Sequence, residues 1–463
     1  MRYISTRGGV APIPFSQAVM MGLATDGGLL LPERIPTVST ATLKRWADLA
    51  FIPLASEILA LFVAEEDIPR KDLDRLVREA FRPFAHPEIT PVVKVGRHHI
   101  LELFHGPTLA FKDVALQFLG NLFEYLLQRD GGRLNILGAT SGDTGSAAIH
   151  GVRGKAGMEI FIIHPHGRVS TIQECQMTTV LDANVHNIAI QGTFDDGQAI
   201  VKRLFNDLDF KNKYCLGAVN SINWARIVAQ VVYYFYAWGR LFQGEWGGDW
   251  GRTVEFSVPT GNFGDVFAGY VAKRMGLPMG RLLLATNRND ILTRFFATGS
   301  YRIGEVFPTV SPSMDIQVSS NFERYLYYLL QENPEAVRGK MAALETEGGF
   351  DVPGRLRDGI DEFRAVAVGE EETLATIRTV YRESGYILDP HTAVGVAAAM
   401  ATPGMVCLAT AHPAKFGDAV KQAIGHLPQR PAVFEGLEQR PRRCQILPAS
   451  VDLVRDFIVR KLG

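Results

Sequence analysis

Three short stretches of the sequence concentrate residues able to do chemistry. The run Gly138-Ala-Thr-Ser-Gly-Asp-Thr-Gly-Ser146 mixes glycines with hydroxyls, and so does Pro259-Thr-Gly-Asn-Phe-Gly-Asp265. Each follows a short apolar run, LNIL in one case and VEFSV in the other, and each leads into a helical pattern. A loop of this kind directs several backbone N–H groups and a helix N-terminus at one point, which suits a phosphate or a carboxylate. The third stretch, Leu103-Phe-His-Gly-Pro-Thr-Leu-Ala-Phe-Lys-Asp113, leads to Lys112. A lysine at a helix start is ordinarily solvated. Here Phe104, Leu109 and Phe111 are its neighbours, and an ammonium stripped of water gives up its proton more readily and can form a Schiff base with an aldehyde.

Nucleotide binding fails in detail. A Walker-type loop needs GxxxxGK[ST], no lysine follows Gly142 or Gly145, and neither loop has the GxGxxG of a dinucleotide fingerprint. The missing GK[ST] therefore argues against a nucleotide-dependent transferase. Two glycine turns with capping hydroxyls would explain both loops without any ligand, but finding two in one sheet weighs against that. A non-catalytic phospholigand-binding protein would keep the loops, yet it has no need of a lysine beside Phe104 and Phe111. His164 and His166 follow a strand end without acidic residues at ligand spacing, so no metal is expected.

Loops of this kind need strands to hold them. From about residue 91 the runs HHILELF, LNILGAT, EIFIIHP, VHNIAI, TVEFSVP and RLLLAT alternate with longer helical patterns. That alternation predicts an α/β chain with right-handed crossovers and a mainly parallel sheet covered on both faces. Ligands in such a sheet sit beyond the carboxyl ends of the strands. Before residue 85 the chain holds a turn-rich segment, ATDGGLLLPERIP, and helical patterns. KDLDRLVREAF places Leu73, Leu76, Val77 and Phe81 at near-helical spacing. Val114 to Leu127 reads as an amphipathic helix, the charged stretch 348–369 as a surface excursion, and 431–463 as an extension packed on the main body.

A length of 463 residues allows about three domains or lobes. Hydrophobic residues at 47% exclude wholesale disorder. With 48 Lys+Arg against 49 Asp+Glu, the net charge of -1 argues against partners that need excess cations, so neither nucleic acid nor a membrane surface is expected. The 45 glycines exceed an average share of about 32 without any collagen-like period, so the surplus belongs in loops. Cys175, Cys215, Cys407 and Cys444 are far apart and form no CxxC pair, which points to a reducing cytoplasm. MRYISTRGG has no apolar run after Arg2 and is not read as a secretory signal. The uncharged stretch from Thr392 to Ala411 is broken by Pro403-Gly404 and is expected as an Ala-rich helix followed by a buried strand.

Six motifs occur in order: LFHGPTLAFKD, GATSGDTGSAA, NSINWARI (220–227), GNFGD, LDPHTAVG (388–395) and TAHPAKF (410–416). With the N-terminal ISTRGG and GLATDGGLLLPE segments, the chain resembles the threonine synthase family of the bacterial and fungal type over nearly its whole length. That family belongs to the fold type II pyridoxal-phosphate enzymes, which are tryptophan synthase β-like. The resemblance implies two lobes with mainly parallel twisted sheets. The implied division is an N-terminal domain at 1–85, a catalytic core at 86–430 and a C-terminal extension at 431–463. It also implies work as a cytoplasmic monomer or weak homodimer.

Residue by residue, Lys112 matches the lysine that holds pyridoxal 5'-phosphate and later serves as acid and base. Gly261, Asn262, Phe263 and Gly264 resemble the cradle for the cofactor phosphate, and Thr410 the hydroxyl against the pyridine nitrogen. Thr140, Ser141, Gly142 and Thr144 resemble the loop that binds the substrate carboxylate. Asp143 stands where many relatives place an asparagine beside the ring oxygen, so its carboxylate would be repelled unless protonated or turned away. Candidates for the substrate phosphate are Asn220, Ser221, Asn223, Arg226 and Lys415. Asn223 and Ser221 could instead cap the following helix, and Arg226 could form a structural ion pair. His391 and His412 lie in matching motifs and are given no step. The implied reaction turns O-phospho-L-homoserine and water into L-threonine and phosphate. Within the same class, a lyase that releases a keto acid from a phospho-amino acid would use the same set of residues.

Overall fold

The computed structural model describes residues 1–354 and 362–463. An antiparallel pair, β1 (Tyr3–Ser5) and β2 (Leu30–Pro32), opens the chain. Helices Thr40–Ala47, Phe51–Ala60 and Arg70–Phe81 follow. The last of these buries Leu73, Leu76, Val77 and Phe81 on one face, as their spacing predicts. Next come β3 (Val92–Val95), β4 (His98–Glu102), β5 (Leu134–Ala139), β6 (Met158–Pro165), β7 (Val185–Gln191) and β8 (Leu216–Gly217). The later strands are β9 (Val254–Pro259), β10 (Met279–Thr286), β11 (Ser300–Arg302), β12 (Gly349–Asp351), β13 (Phe363–Ala367), β14 (Val406–Ala409) and β15 (Gln445–Pro448). The six runs read from the sequence as strands are β4, β5, β6, β7, β9 and β10.

Two sheets carry the fold. One has the order β15-β7-β6-β5-β8 and is parallel throughout. The other has the order β13-β10-β9-β14-β4-β3 and is parallel except for the β3–β4 hairpin. Because β9, β14 and β4 are parallel neighbours, the loops leaving their carboxyl ends (260–264, 410–416 and 103–111) emerge side by side. The stretch 392–411 forms helix Pro390–Ala399 and then buried β14, and no helix among the described residues is long and apolar enough to cross a membrane.

Helix Lys112–Asp130 runs through the main apolar core with Trp224–Gln243 and Asp143–Val152 against it. It departs from the amphipathic expectation: every residue from Asp113 to Gly120 is buried, because neighbouring helices cover more than one of its faces. Its crossing with Asp143–Val152 is backbone to backbone. A Cβ at Gly120 would lie 1.9 Å from the Gly151 carbonyl oxygen, and one at Gly151 would lie 2.5 Å from that of Leu116. The stretch 348–369 departs too. It holds β12, and it holds β13 at the edge of the six-stranded sheet, paired with Leu282 to Thr286; its residues 355–361 lie outside the described ones. The C-terminal stretch does more than pack on the surface: β15 adds a strand beside β7, and helix Val451–Leu462 contributes Val454, Phe457 and Ile458 to a buried cluster.

Candidate active site

Backbone pairing fixes Lys112. The end of β14 zips against the segment before the lysine: Phe111 N donates to Thr410 O at 2.8 Å, His412 N to Leu109 O at 3.1 Å, and Ala110 bridges Ala411. Lys112 therefore starts its helix beside Thr410, itself 7% exposed. Asp113 clasps the preceding turn, its two carboxyl oxygens accepting from Thr108 N and Thr108 Oγ1, both at 2.8 Å. Burial raises the Asp113 carboxyl to about 6, although the Thr108 bonds oppose the shift.

The glycine crossing brings the N-termini of two helices together, so Lys112 Nζ lies 3.8 Å from Asp143 Oδ2. Lys415 Nζ is 2.7 Å from Asp143 Oδ1 and donates to Thr108 O at 2.8 Å. Gln173 Nε2 donates to Asp143 Oδ1 at 2.8 Å. Burial alone would raise the Asp143 carboxyl, but Lys415 and Lys112 outweigh it and hold it well below the usual carboxylate range. Asp143 is thus ionised and turned toward two cations. Burial pulls the Lys112 ammonium down to about 8; Asp143 opposes that shift, and Lys415 and Arg226 add to it. The side chain of Lys112 keeps 12% exposure, so it is not sealed from solvent.

Around this pair the loops take specific shapes. Gly142 has φ 143, and a Cβ there would sit 2.5 Å from Gln173 Cδ, so only glycine lets Gln173 reach Asp143. Thr140 Oγ1 accepts from the amides of Gly142 at 3.0 Å and Gly145 at 2.9 Å, folding the loop tightly. Ser141 is exposed and Thr144 half-buried, both on the rim of that loop. In the second loop Phe263 adopts the left-handed conformation at φ 62 and precedes helix Gly264–Arg274. The first amides of that helix have no helical acceptors. A Cβ at Gly261 would meet Ser313 O at 3.0 Å.

A hydrogen-bonded circuit joins the motifs. Ser313 N donates to His391 Nε2 at 3.2 Å, while His391 Nδ1 lies 2.9 Å from Asp389 Oδ1. Nε2 is therefore an acceptor and the proton sits on Nδ1, so His391 is neutral and structural. Thr392 binds Asp389 through its hydroxyl and accepts from Thr410 N at 3.3 Å. On the other side, Asn262 O accepts from Asn321 N at 3.0 Å and Asn321 Nδ2 at 3.1 Å, and Ser320 Oγ donates to Asn262 Oδ1 at 3.2 Å. Ser221 Oγ lies 2.8 Å from Ser320 Oγ, which ties the 220–223 loop to this cradle.

The remaining candidates divide. Arg226 is 4% exposed; its Nη1 donates to Val219 O at 3.1 Å, and its Nε has no partner among the described residues. Burial lowers its guanidinium to about 10, and no ion pair holds it among the described residues. Asn223 caps the helix through Ala225 N at 3.1 Å and donates to Val19 O at 2.8 Å, so both ends of its amide serve the fold. Asn220 is exposed. His412 accepts from Ala414 N at 3.1 Å, meets Phe104 edge-on at 5.4 Å, and is pushed down by burial to about 4, hence neutral. Gln173, Asn321, Ser320 and Ser319, whose hydroxyl donates to Gly261 O, join the site without standing out in the sequence. Only Gln173 carries a signal there, lying three residues after the capping Ser170 at a helix start.

The family profile described as threonine synthase N terminus matches residues 2–81, the pyridoxal-phosphate dependent enzyme profile matches 87–406, and the threonine synthase C-terminal profile matches 392–458. The chain is 48% identical to the threonine synthase of Pseudomonas aeruginosa, covering 99% of this chain and 98% of that one. It is 49% identical to the threonine synthase of Saccharomyces cerevisiae, covering 97% and 96%. The solved structure of threonine synthase from Brucella melitensis, which has pyridoxal phosphate bound, superposes with a TM-score of 0.95 at 47% identity, covering 100% of this chain and 99% of that one. The chain belongs to the threonine synthase family of pyridoxal-phosphate-dependent enzymes.

Proposed function

We infer that the protein converts O-phospho-L-homoserine and water into L-threonine and inorganic phosphate, with pyridoxal 5'-phosphate carried on Lys112. The observation that supports this best is the Lys112 amine: mostly buried, lowered to about 8, beside Thr410 and facing the Asp143 carboxylate. The residues present suit the cofactor. An amine that loses its proton near neutrality suits bonding to an aldehyde. Gly261 keeps a close-packed turn free of side chain, and the amides opening helix Gly264–Arg274 suit a phosphate dianion. When bound, pyridoxal phosphate supplies an aldehyde that takes up the substrate amine and a ring that accepts the charge left at Cα.

The chain supplies the rest. Lys112, which would hold the cofactor aldehyde, would also take the Cα proton of the substrate and return it. Asp143 holds the Lys112 ammonium in reach, while Lys415 offsets the charge of Asp143, so the amine still deprotonates near neutrality. The loop of Thr140, Ser141, Gly142 and Thr144 binds the substrate carboxylate through amides and hydroxyls. Gly261, Asn262, Phe263 and Gly264 hold the cofactor phosphate, and the Thr410 hydroxyl serves the ring nitrogen. The free Nε of Arg226 and the third N–H of Lys415, with Asn220 and Ser221, receive the departing phosphate, and Asn223 holds that loop in shape. We assign the chain a division at 1–85, 86–430 and 431–463. We place it in the cytoplasm as a monomer or weak homodimer, without nucleic-acid or membrane partners; four free cysteines suit that location.

Borohydride reduction of the holoenzyme followed by peptide mapping tests the assignment. The pyridoxyl group should be found on Lys112, and Lys112→Ala should remain folded, trap none and form no threonine. A pyridoxyl group on any other lysine contradicts the reading.

A further inference from the structure

Arg324 is 0% exposed. Its Nε and Nη2 both donate to Leu30 O of β2, at 3.1 and 3.0 Å. Nη2 also donates to Ile222 O in the 220–223 loop, and Nη1 donates to Asn321 Oδ1. Asn321 in turn gives both its backbone and its side-chain N–H to Asn262 O in the glycine cradle. One planar guanidinium therefore ties down the N-terminal strand, the loop proposed to face the substrate phosphate and the loop proposed to face the cofactor phosphate.

The charge is as informative as the bonds. Every acceptor Arg324 has among the described residues is a carbonyl or amide oxygen, and none is a carboxylate. The neighbouring Glu323 is committed elsewhere, to Arg7 at 3.0 Å and to Thr6 at 2.6 Å. Burial lowers the guanidinium to about 9 against the opposing pull of Glu323, which still leaves it protonated at neutral pH. A buried cation without a bonded carboxylate is costly when it serves packing alone. Behind two loops that bind dianions, it adds a fixed positive potential and needs no reorganisation when the ligands arrive.

We propose that Arg324 is a positioning residue that sets the cofactor-phosphate cradle and the 220–223 loop against each other and biases both toward dianions. The proposal rests on the reading of Gly261 to Gly264 as the cofactor-phosphate cradle. It gives the N-terminal segment a part in the active site, since Leu30 anchors the guanidinium.

The test compares two aldehydes, pyridoxal 5'-phosphate and pyridoxal, binding to full-length apoprotein. Arg324→Lys keeps charge but loses the planar fork; Asn321→Ala removes the side-chain bridge from Arg324 to Asn262, leaves only the Asn321 backbone N–H on Asn262 O, and spares the bonds to Leu30 and Ile222. Both variants should weaken pyridoxal phosphate by about ten-fold or more while leaving pyridoxal within about two-fold. In steady state KM for O-phosphohomoserine should rise and kcat change little in Arg324→Lys. Equal loss for both aldehydes, or no loss for either, overturns the proposal, because a purely structural residue does not distinguish phosphate. Should Arg324→Lys fail to fold, Asn321→Ala decides alone. Gly261→Val separates the two claims. Unchanged pyridoxal phosphate binding there removes the cradle and this proposal with it, whereas loss in Gly261→Val alone removes only the role of Arg324.

Discussion

At the scale of the residue, the site turns on how Asp143 is balanced. Its charge stabilises the Lys112 ammonium, and Lys415 offsets part of that charge. Since the free amine is the nucleophile, the rate at which apoprotein combines with pyridoxal phosphate should rise with pH and level off above about 8. Asp143→Asn removes the anion and should shift that curve to lower pH; Lys415→Met leaves Asp143 unneutralised and should shift it upward, each by roughly one pH unit. Shifts in the same direction would refute the balance. Thr410 offers a second test. Thr410→Ser keeps the hydroxyl and should retain most turnover, whereas Thr410→Val should lose about ten-fold, worth about 1.4 kcal/mol at the transition state. Near-normal turnover in Thr410→Val removes the hydroxyl from the mechanism.

At the scale of the element, two helices meet without side chains between them at Gly120 and Gly151, and that contact sets the distance from Lys112 to Asp143. Gly120→Ala puts a methyl group on a carbonyl oxygen that cannot move far. It should cost about 1–3 kcal/mol in urea unfolding and weaken covalent cofactor capture. An unchanged midpoint and unchanged capture would show that the crossing does not govern the site. The features legible in the sequence are local ones. LNIL, VEFSV and HHILELF each end in a loop that turns into a helix, so strand, loop and Lys112 can be read within a dozen or so residues. What the sequence conceals is long-range or masked by composition. Arg324 sits in FERYLYYL, where a helical arginine looks solvated, and its partners Leu30 and Ile222 are remote in the chain. β13 hides in a charged stretch because an edge strand needs one apolar face only. Helix Lys112–Asp130 reads as amphipathic because sequence alone does not reveal how many helices cover it.

At the scale of the whole molecule, stability should carry the signature of a buried acid behind the cradle. Asp265 lies in the first turn of helix Gly264–Arg274; Tyr233 and Tyr234 donate to its Oδ1, and its Oδ2 has no partner among the described residues. Burial raises its carboxyl to about 7, against which the tyrosine bonds work. A carboxyl raised above its unfolded value binds its proton more tightly in the folded chain. Its contribution to stability is therefore full below about pH 4 and is lost as pH rises through about 7. Asp265→Asn should flatten that loss, gaining up to about 4 kcal/mol at pH 9 relative to the parent. A parallel pH profile for the two proteins would mean that Asp265 is already relieved of its proton in the fold.

The most direct measurement of the central claim is a product balance from O-phospho-L-homoserine with purified holoenzyme. L-threonine and inorganic phosphate should appear in equal amounts at every time point, and both should be absent with Lys112→Ala. Phosphate accompanied by a keto acid and ammonia in place of threonine would contradict the account and make the protein an eliminating lyase built on the same site.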